Sequence, residues 1–149
     1  MSDGMNFHGL HGYFFEDLKV GMEETFSRTI TDTDMRNFTG VSGDTNPMHL
    51  NEEFAKASPF HGTIVFGMLT ASLISAVIGT KLPGPGCIYM SQTLKFLAPV
   101  RVGDTVYAVV TLKQLFPEKK RALLDTKCYV KDTVVIEGEA LIKVPSKTI

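Results

Sequence analysis

The sequence predicts an α+β domain: a curved antiparallel β-sheet wrapped around one long buried helix. Two stretches carry that prediction. Residues 67–79, Gly-Met-Leu-Thr-Ala-Ser-Leu-Ile-Ser-Ala-Val-Ile-Gly, contain no charge and no strongly polar face, the pattern of a helix buried on nearly all sides. From Cys87 onward the pattern turns to strands at 88–97, 105–116, 122–130 and 134–144. Pro99, Gly103, Pro117-Glu118-Lys119 and Lys131-Asp132 punctuate them. One apolar helix followed by a meander of long strands buries both partners if the sheet curls around the helix. At 149 residues the chain is most simply one domain.

The remaining elements read in order. Residues 1–12 are Gly-rich, and fraying is expected there, which gives His8 and His11 little weight. Residues 24–30 alternate as a strand does. Thr31 followed by Asp34 is a helix-start signal, with Met35, Phe38 and Val41 spaced for one apolar face. Gly43, Asn46 and Pro47 predict an ordered loop over 42–49. Asn51, with Glu52 and Glu53 behind it, predicts a short capped helix over 51–57.

Composition narrows the function classes. A net charge of −1 gives no general attraction to nucleic acid or to anionic membranes. The longest apolar stretch, 64–78, is short for a bilayer and is interrupted by Gly67, Thr70, Ser72 and Ser75. No basic-then-apolar run opens the chain, so a cytoplasmic protein is expected. Cys87 and Cys128 lie far apart without metal-type spacing and predict reduced thiols. Four histidines with no zinc-type grouping predict no metal site.

The densest chemistry lies in Ser42-Gly43-Asp44-Thr45-Asn46-Pro47-Met48-His49. A carboxylate, a carboxamide and an imidazole fall within six positions. An Asp and a His brought together can share one water, the imidazole taking a proton while the acid supplies one. The same residues also read as an Asx-type turn followed by a surface His. No other part of the sequence offers a comparable acid/base pair. The first turn of the apolar helix adds an anion-favouring end.

This motif, followed by Ile64-Val65-Phe66-Gly67-Met68-Leu69-Thr70-Ala71-Ser72-Leu73, resembles the MaoC-like hydratases and, more narrowly, the (R)-specific enoyl-CoA hydratases. Leu82-Pro83-Gly84, Gln92-Thr93-Leu94-Lys95-Phe96 and Pro99-Val100-Arg101-Val102-Gly103-Asp104 fit the same pattern, so the resemblance spans about 14–144. It implies a hot-dog fold and a catalytic pair matching Asp44 and His49, with Asn46 in support. It also implies a backbone N–H at the helix start, matching Gly67, for the substrate oxygen. The family often carries His before that glycine. This chain has Phe66 there, a change expected to alter pocket polarity rather than reaction class.

The chemistry agrees. Hydrating a double bond conjugated to a thioester needs an activated water, a proton for Cα and a donor for the enolate oxygen. Asp44 and His49 supply the first two. Gly67, lacking a side chain, lets an oxygen approach its N–H at a helix N-terminus. Leu69, Ser75, Ile78 and Phe66 are expected against the acyl chain, and Lys95 or Arg101 against the phosphates of coenzyme A. No cofactor is expected, coenzyme A being part of the substrate. A carrier-protein dehydratase, a hot-dog thioesterase and a non-catalytic acyl-thioester-binding subunit are the competing classes. A single unit would leave a sheet edge and one tunnel end open, and the resemblance implies a homodimer or a dimer of dimers.

Overall fold

Alternation of buried and half-buried side chains along three long strands builds the scaffold. In the computed structural model, which describes residues 8–148, β4 (Thr105–Phe116), β5 (Arg121–Val130) and β6 (Thr133–Lys143) form an antiparallel meander. Val106, Ala108, Val110 and Leu112 of β4, Ala122, Leu124 and Cys128 of β5, and Ala140 and Ile142 of β6 are all buried. Their period of two places them on one face of the sheet. β1 (Glu23–Thr29) extends the sheet beside β4, and β2 (Ile88–Gln92) beside β6, giving the order β1-β4-β5-β6-β2. Register shifts that leave Lys113 of β4 and Val135 of β6 unmatched mark bulges, which bend a sheet.

Helix α4 (Gly67–Thr80) fills the concave face, burying Leu73, Ile74, Val77 and Ile78 in one core with Met35, Phe66 and the strand residues. Each such side chain contributes roughly 1.5–3 kcal/mol by leaving water. The helix is less enclosed than its sequence predicts: Met68, Ser72 and Ser75 are exposed along one side. No helix among the described residues is long and apolar enough to cross a membrane.

The strand expected at 88–97 is interrupted. β2 ends at Gln92, and β3 (Lys95–Phe96) rejoins β6 further along. Gly138 of β6 permits this, because a Cβ there would lie 1.8 Å from the Thr93 carbonyl oxygen. Thr93 stays tied to β6 at both ends, its N–H donating to the Glu139 carbonyl and its hydroxyl accepting the Glu139 N–H, each at 2.9 Å.

Fraying does not reach Gly12, expected within the loose terminus. Its N–H donates to the Pro85 carbonyl at 2.9 Å, and the next N–H, of Tyr13, to the Pro83 carbonyl at 2.8 Å. His8 and His11 fall at the start of the described residues, and residues 1–7 lie outside them.

Between β1 and α4 the chain makes three helices, α1 (Asp32–Ser42), α2 (Pro47–Leu50) and α3 (Glu52–Lys56). Thr31 and Asp34 form the expected reciprocal cap on α1, and Asn51 caps α3. Of the expected apolar face of α1, Met35 is buried and Phe38 packs on Phe66 at 4.8 Å, but Val41 is 87% exposed. The helix leaves the core before its last turn.

Asp34 joins β1 to α1, because Arg28 donates to its carboxylate at 2.6 Å while the same group accepts the Thr31 N–H. The Arg28 hydrogen bond, followed by those of Thr31, holds the Asp34 pKa below its ordinary 3.8 against the opposing effect of burial. A lowered folded pKa means that the stability from this group is full above pH 3.8 and is lost as pH falls through the lowered value. Asp34→Asn is therefore expected to destabilise the fold by about 1–2 kcal/mol at pH 7. Its deficit against the native chain should shrink below pH 4, as followed by urea titration at a series of pH values.

Candidate active site

The motif segment folds as two linked caps rather than one loop. Gly43 ends α1 with a left-handed φ of 78°, which a side chain would strain. Asp44 Oδ1 then accepts the Asn46 N–H at 3.0 Å, and Asn46 Oδ1 accepts the Met48 N–H at 3.0 Å as the cap of α2. Pro47, in the first position of α2, has no N–H to leave unpaired. His49 thus stands on a helical turn, where an ordered loop was expected. The Asx turn is realised and engages one Asp44 oxygen, leaving the other without a hydrogen bond among the described residues.

His49 is held from two sides. Its Nδ1 lies 2.9 Å from the Ile64 carbonyl oxygen. A carbonyl only accepts, so Nδ1 is the donor, and in the neutral ring Nε2 is the nitrogen that keeps the lone pair. Its ring packs against Phe66, with centroids 4.1 Å apart. Phe66 is 2% exposed and also contacts Phe38, so it acts here as the wall that fixes the imidazole.

One cavity of about 410 Å³ brings Asp44, His49, Phe66 and Gly67 together with Phe38, Ser42, Met68 and Phe96. The Gly67 N–H, at the first position of α4, finds no carbonyl acceptor among the described residues. A Cβ on Gly67 would come within 2.7 Å of the Phe96 ring. Phe96 roofs the helix start although the sequence reading gave it no role. The strand break above Gly138, which aims it there, has no signature in local periodicity.

The other expected site residues are dispersed. Leu69 borders a second groove, of about 420 Å³, between α1 and α4, shared with Phe38, Val41, Ser72, Leu73 and Ala76. Ser75 is exposed on α4, outside the lining of that groove. Ile78, expected against an acyl chain, is instead 1% exposed in the core, because its helical position faces the sheet. Lys95 is exposed on β3. Arg101 donates to the carbonyl oxygens of Thr63 at 3.0 Å and Phe60 at 2.5 Å, fastening the segment that leads into α4.

This arrangement places an Asp and a His beside the open N-terminus of a helix on a hot-dog scaffold. The model for the MaoC like domain matches residues 17–138, and the chain belongs to that family. It is 52% identical over 134 residues to the 3-hydroxybutyryl-CoA dehydratase of Methylorubrum extorquens, covering 90% of this chain and 85% of the relative. It is also 52% identical over 135 residues to an (R)-specific enoyl-CoA hydratase of Rhodospirillum rubrum, covering 91% and 94%. Among solved structures it resembles an R-hydratase of Pseudomonas aeruginosa in its unliganded form, with TM-score 0.85, 36% identity and coverage of 92% and 88%. The (R)-hydratase of Aeromonas caviae involved in PHA biosynthesis superposes with TM-score 0.84 and 39% identity, over 87% of this chain and 99% of that one.

Phe96 is 53% exposed and its ring can turn aside. Gly67→Ala is therefore expected to fold with a melting temperature within about 4 °C of the parent and with the Phe96 ring swung off the helix start. A crystal structure of the variant checks this, and an unmoved ring beside an intact helix contradicts it.

Proposed function

We propose that this chain is an (R)-specific enoyl-CoA hydratase, adding water reversibly to a trans-2-enoyl thioester to give the (R)-3-hydroxyacyl thioester. One observation carries the reading: Asp44, His49 and the unpaired Gly67 N–H border a single cavity in a chain of this family. Water held between His49 Nε2 and Asp44 loses a proton to the imidazole as its oxygen bonds to C3. The electron pair of the double bond moves onto the thioester oxygen, where the Gly67 N–H stabilises it. A proton reaches C2 through the Asp44 carboxyl, and the His49 proton restores the pair. Asn46 supports the step by capping the turn that carries His49. In reverse the same groups dehydrate, so hydratase and dehydratase describe one equilibrium.

The acyl tail lies along the α1–α4 groove beside Leu69 and Ser72, which continues from the catalytic cavity past Phe38. Lys95 meets a phosphate of the coenzyme A handle. The Arg101 guanidinium, already holding two carbonyls, contributes charge more than donors. Work on a coenzyme A thioester accords with the cytoplasmic location expected from the sequence. The chain assembles as a homodimer or a dimer of dimers: β2 is a sheet edge whose Ile88 and Met90 are 57% and 42% exposed, and Phe96 and Leu97 continue that apolar strip.

Asp44→Asn and His49→Gln should each lower kcat on crotonyl-CoA by about 100- to 10,000-fold with little change in KM, followed as loss of enone absorbance. Because both act on one water, the double variant should fall far short of the product of the two. Near-native hydration by either single variant, or release of free thiol in its place, defeats the reading. Sedimentation at micromolar concentration should give a dimer or tetramer, whereas a fully active monomer contradicts the assembly.

A further inference from the structure

Thr70 is 1% exposed, and its hydroxyl has no hydrogen-bond partner. Two other hydroxyls on α4 behave differently: Ser72 Oγ donates to the Leu69 carbonyl and Thr80 Oγ1 to the Ala76 carbonyl, each at 2.6 Å. The carbonyl that Thr70 would use in the same way, that of Phe66, already accepts the Leu69 N–H at 3.1 Å and the Thr70 N–H at 3.2 Å. A buried hydroxyl left unpaired is destabilising, so its persistence calls for a partner from outside the chain.

Thr70 lines a further cavity of about 330 Å³, otherwise bounded by apolar side chains such as Ile64, Val65, Leu97, Val100 and Ile136. Gly67 and Phe96 border both this cavity and the catalytic one, so the two meet at the helix start. Bond order in the substrate then sets its direction, on the hydratase reading above. With the thioester oxygen on the Gly67 N–H and C3 facing Asp44 and His49, the sulfur points away from the pair, into the Thr70 cavity. The two methylenes after sulfur match its apolar walls. The first polar group beyond them in a pantetheine-type arm is a secondary amide. A hydroxyl can both donate to and accept from such an amide.

We infer that Thr70 hydrogen-bonds the cysteamine amide of the thioester arm and so positions pantetheine-type substrates relative to Gly67.

The test compares Thr70→Val and Thr70→Ser with the parent on two crotonyl thioesters, of N-acetylcysteamine, which bears the amide, and of ethanethiol, which lacks it. Thr70→Val should lower the ratio of kcat/KM for the amide-bearing over the amide-free thioester by about 5- to 20-fold, and Thr70→Ser should restore most of it. An unchanged ratio, whether both substrates fall together or neither falls, overturns the inference.

Calorimetric binding of butyryl-CoA and of butyryl-acyl carrier protein needs no hydration. There Thr70→Val should weaken, by a similar factor, whichever handle the parent binds, which also tells the two sources of the arm apart. Equal affinity in parent and variant, or no binding of either by the parent, overturns the inference. Absence of crotonyl-CoA hydration by a parent that binds butyryl-CoA would count against the reaction alone.

Discussion

The burial of α4 against the inward face of β4, β5 and β6 is the constraint on which the rest of the molecule depends. Strand alternation fixes which side chains point inward, and the helix, apolar through most of its circumference, has one place to go. Once seated, its first residue is fixed in space, and with it the direction of the Gly67 N–H. The acid/base segment is then brought to that point by three local attachments. Asp34 and Arg28 fix the start of α1, the Ile64 carbonyl takes His49 Nδ1, and Arg101 fastens the chain just before α4. Each is a polar contact to a rigid element, so a site carried on short helices and turns inherits the precision of the sheet.

Much of this was legible in the sequence because it rests on short-range signals. The Thr31–Asp34 cap, the Asn51 cap, the charge-free helix and the three long strands between Thr105 and Lys143 follow from spacing alone, and the structure has them. The Asp-x-Asn-Pro-x-His order pointed to the acid/base segment. Long-range packing escaped the reading. Nothing local says that Gly138 must be bare to let Thr93 cross β6, and so nothing local splits the strand at 88–97 or aims Phe96 at Gly67. Ile78 and Val41 were misjudged for the same reason. Periodicity gives a face but not what lies opposite it, and Ile78 met the sheet while Val41 met no core.

Phe66 packs between Phe38 and His49, with ring centroids 4.8 and 4.1 Å away. The imidazole is then oriented by one hydrogen bond and by ring contact, and the wall behind it excludes water. A dry wall strengthens the remaining electrostatic interactions of the site.

Phe96 belongs to the walls of two cavities at once, the one that holds Asp44 and His49 and the one that holds Thr70. On the hydratase reading, the reacting carbons and the carrier arm therefore share a partition. Trimming this ring would couple the rate of the step to discrimination between handles, whereas changes along Leu69 and Ala76, in a groove that Phe96 does not border, would alter chain preference alone.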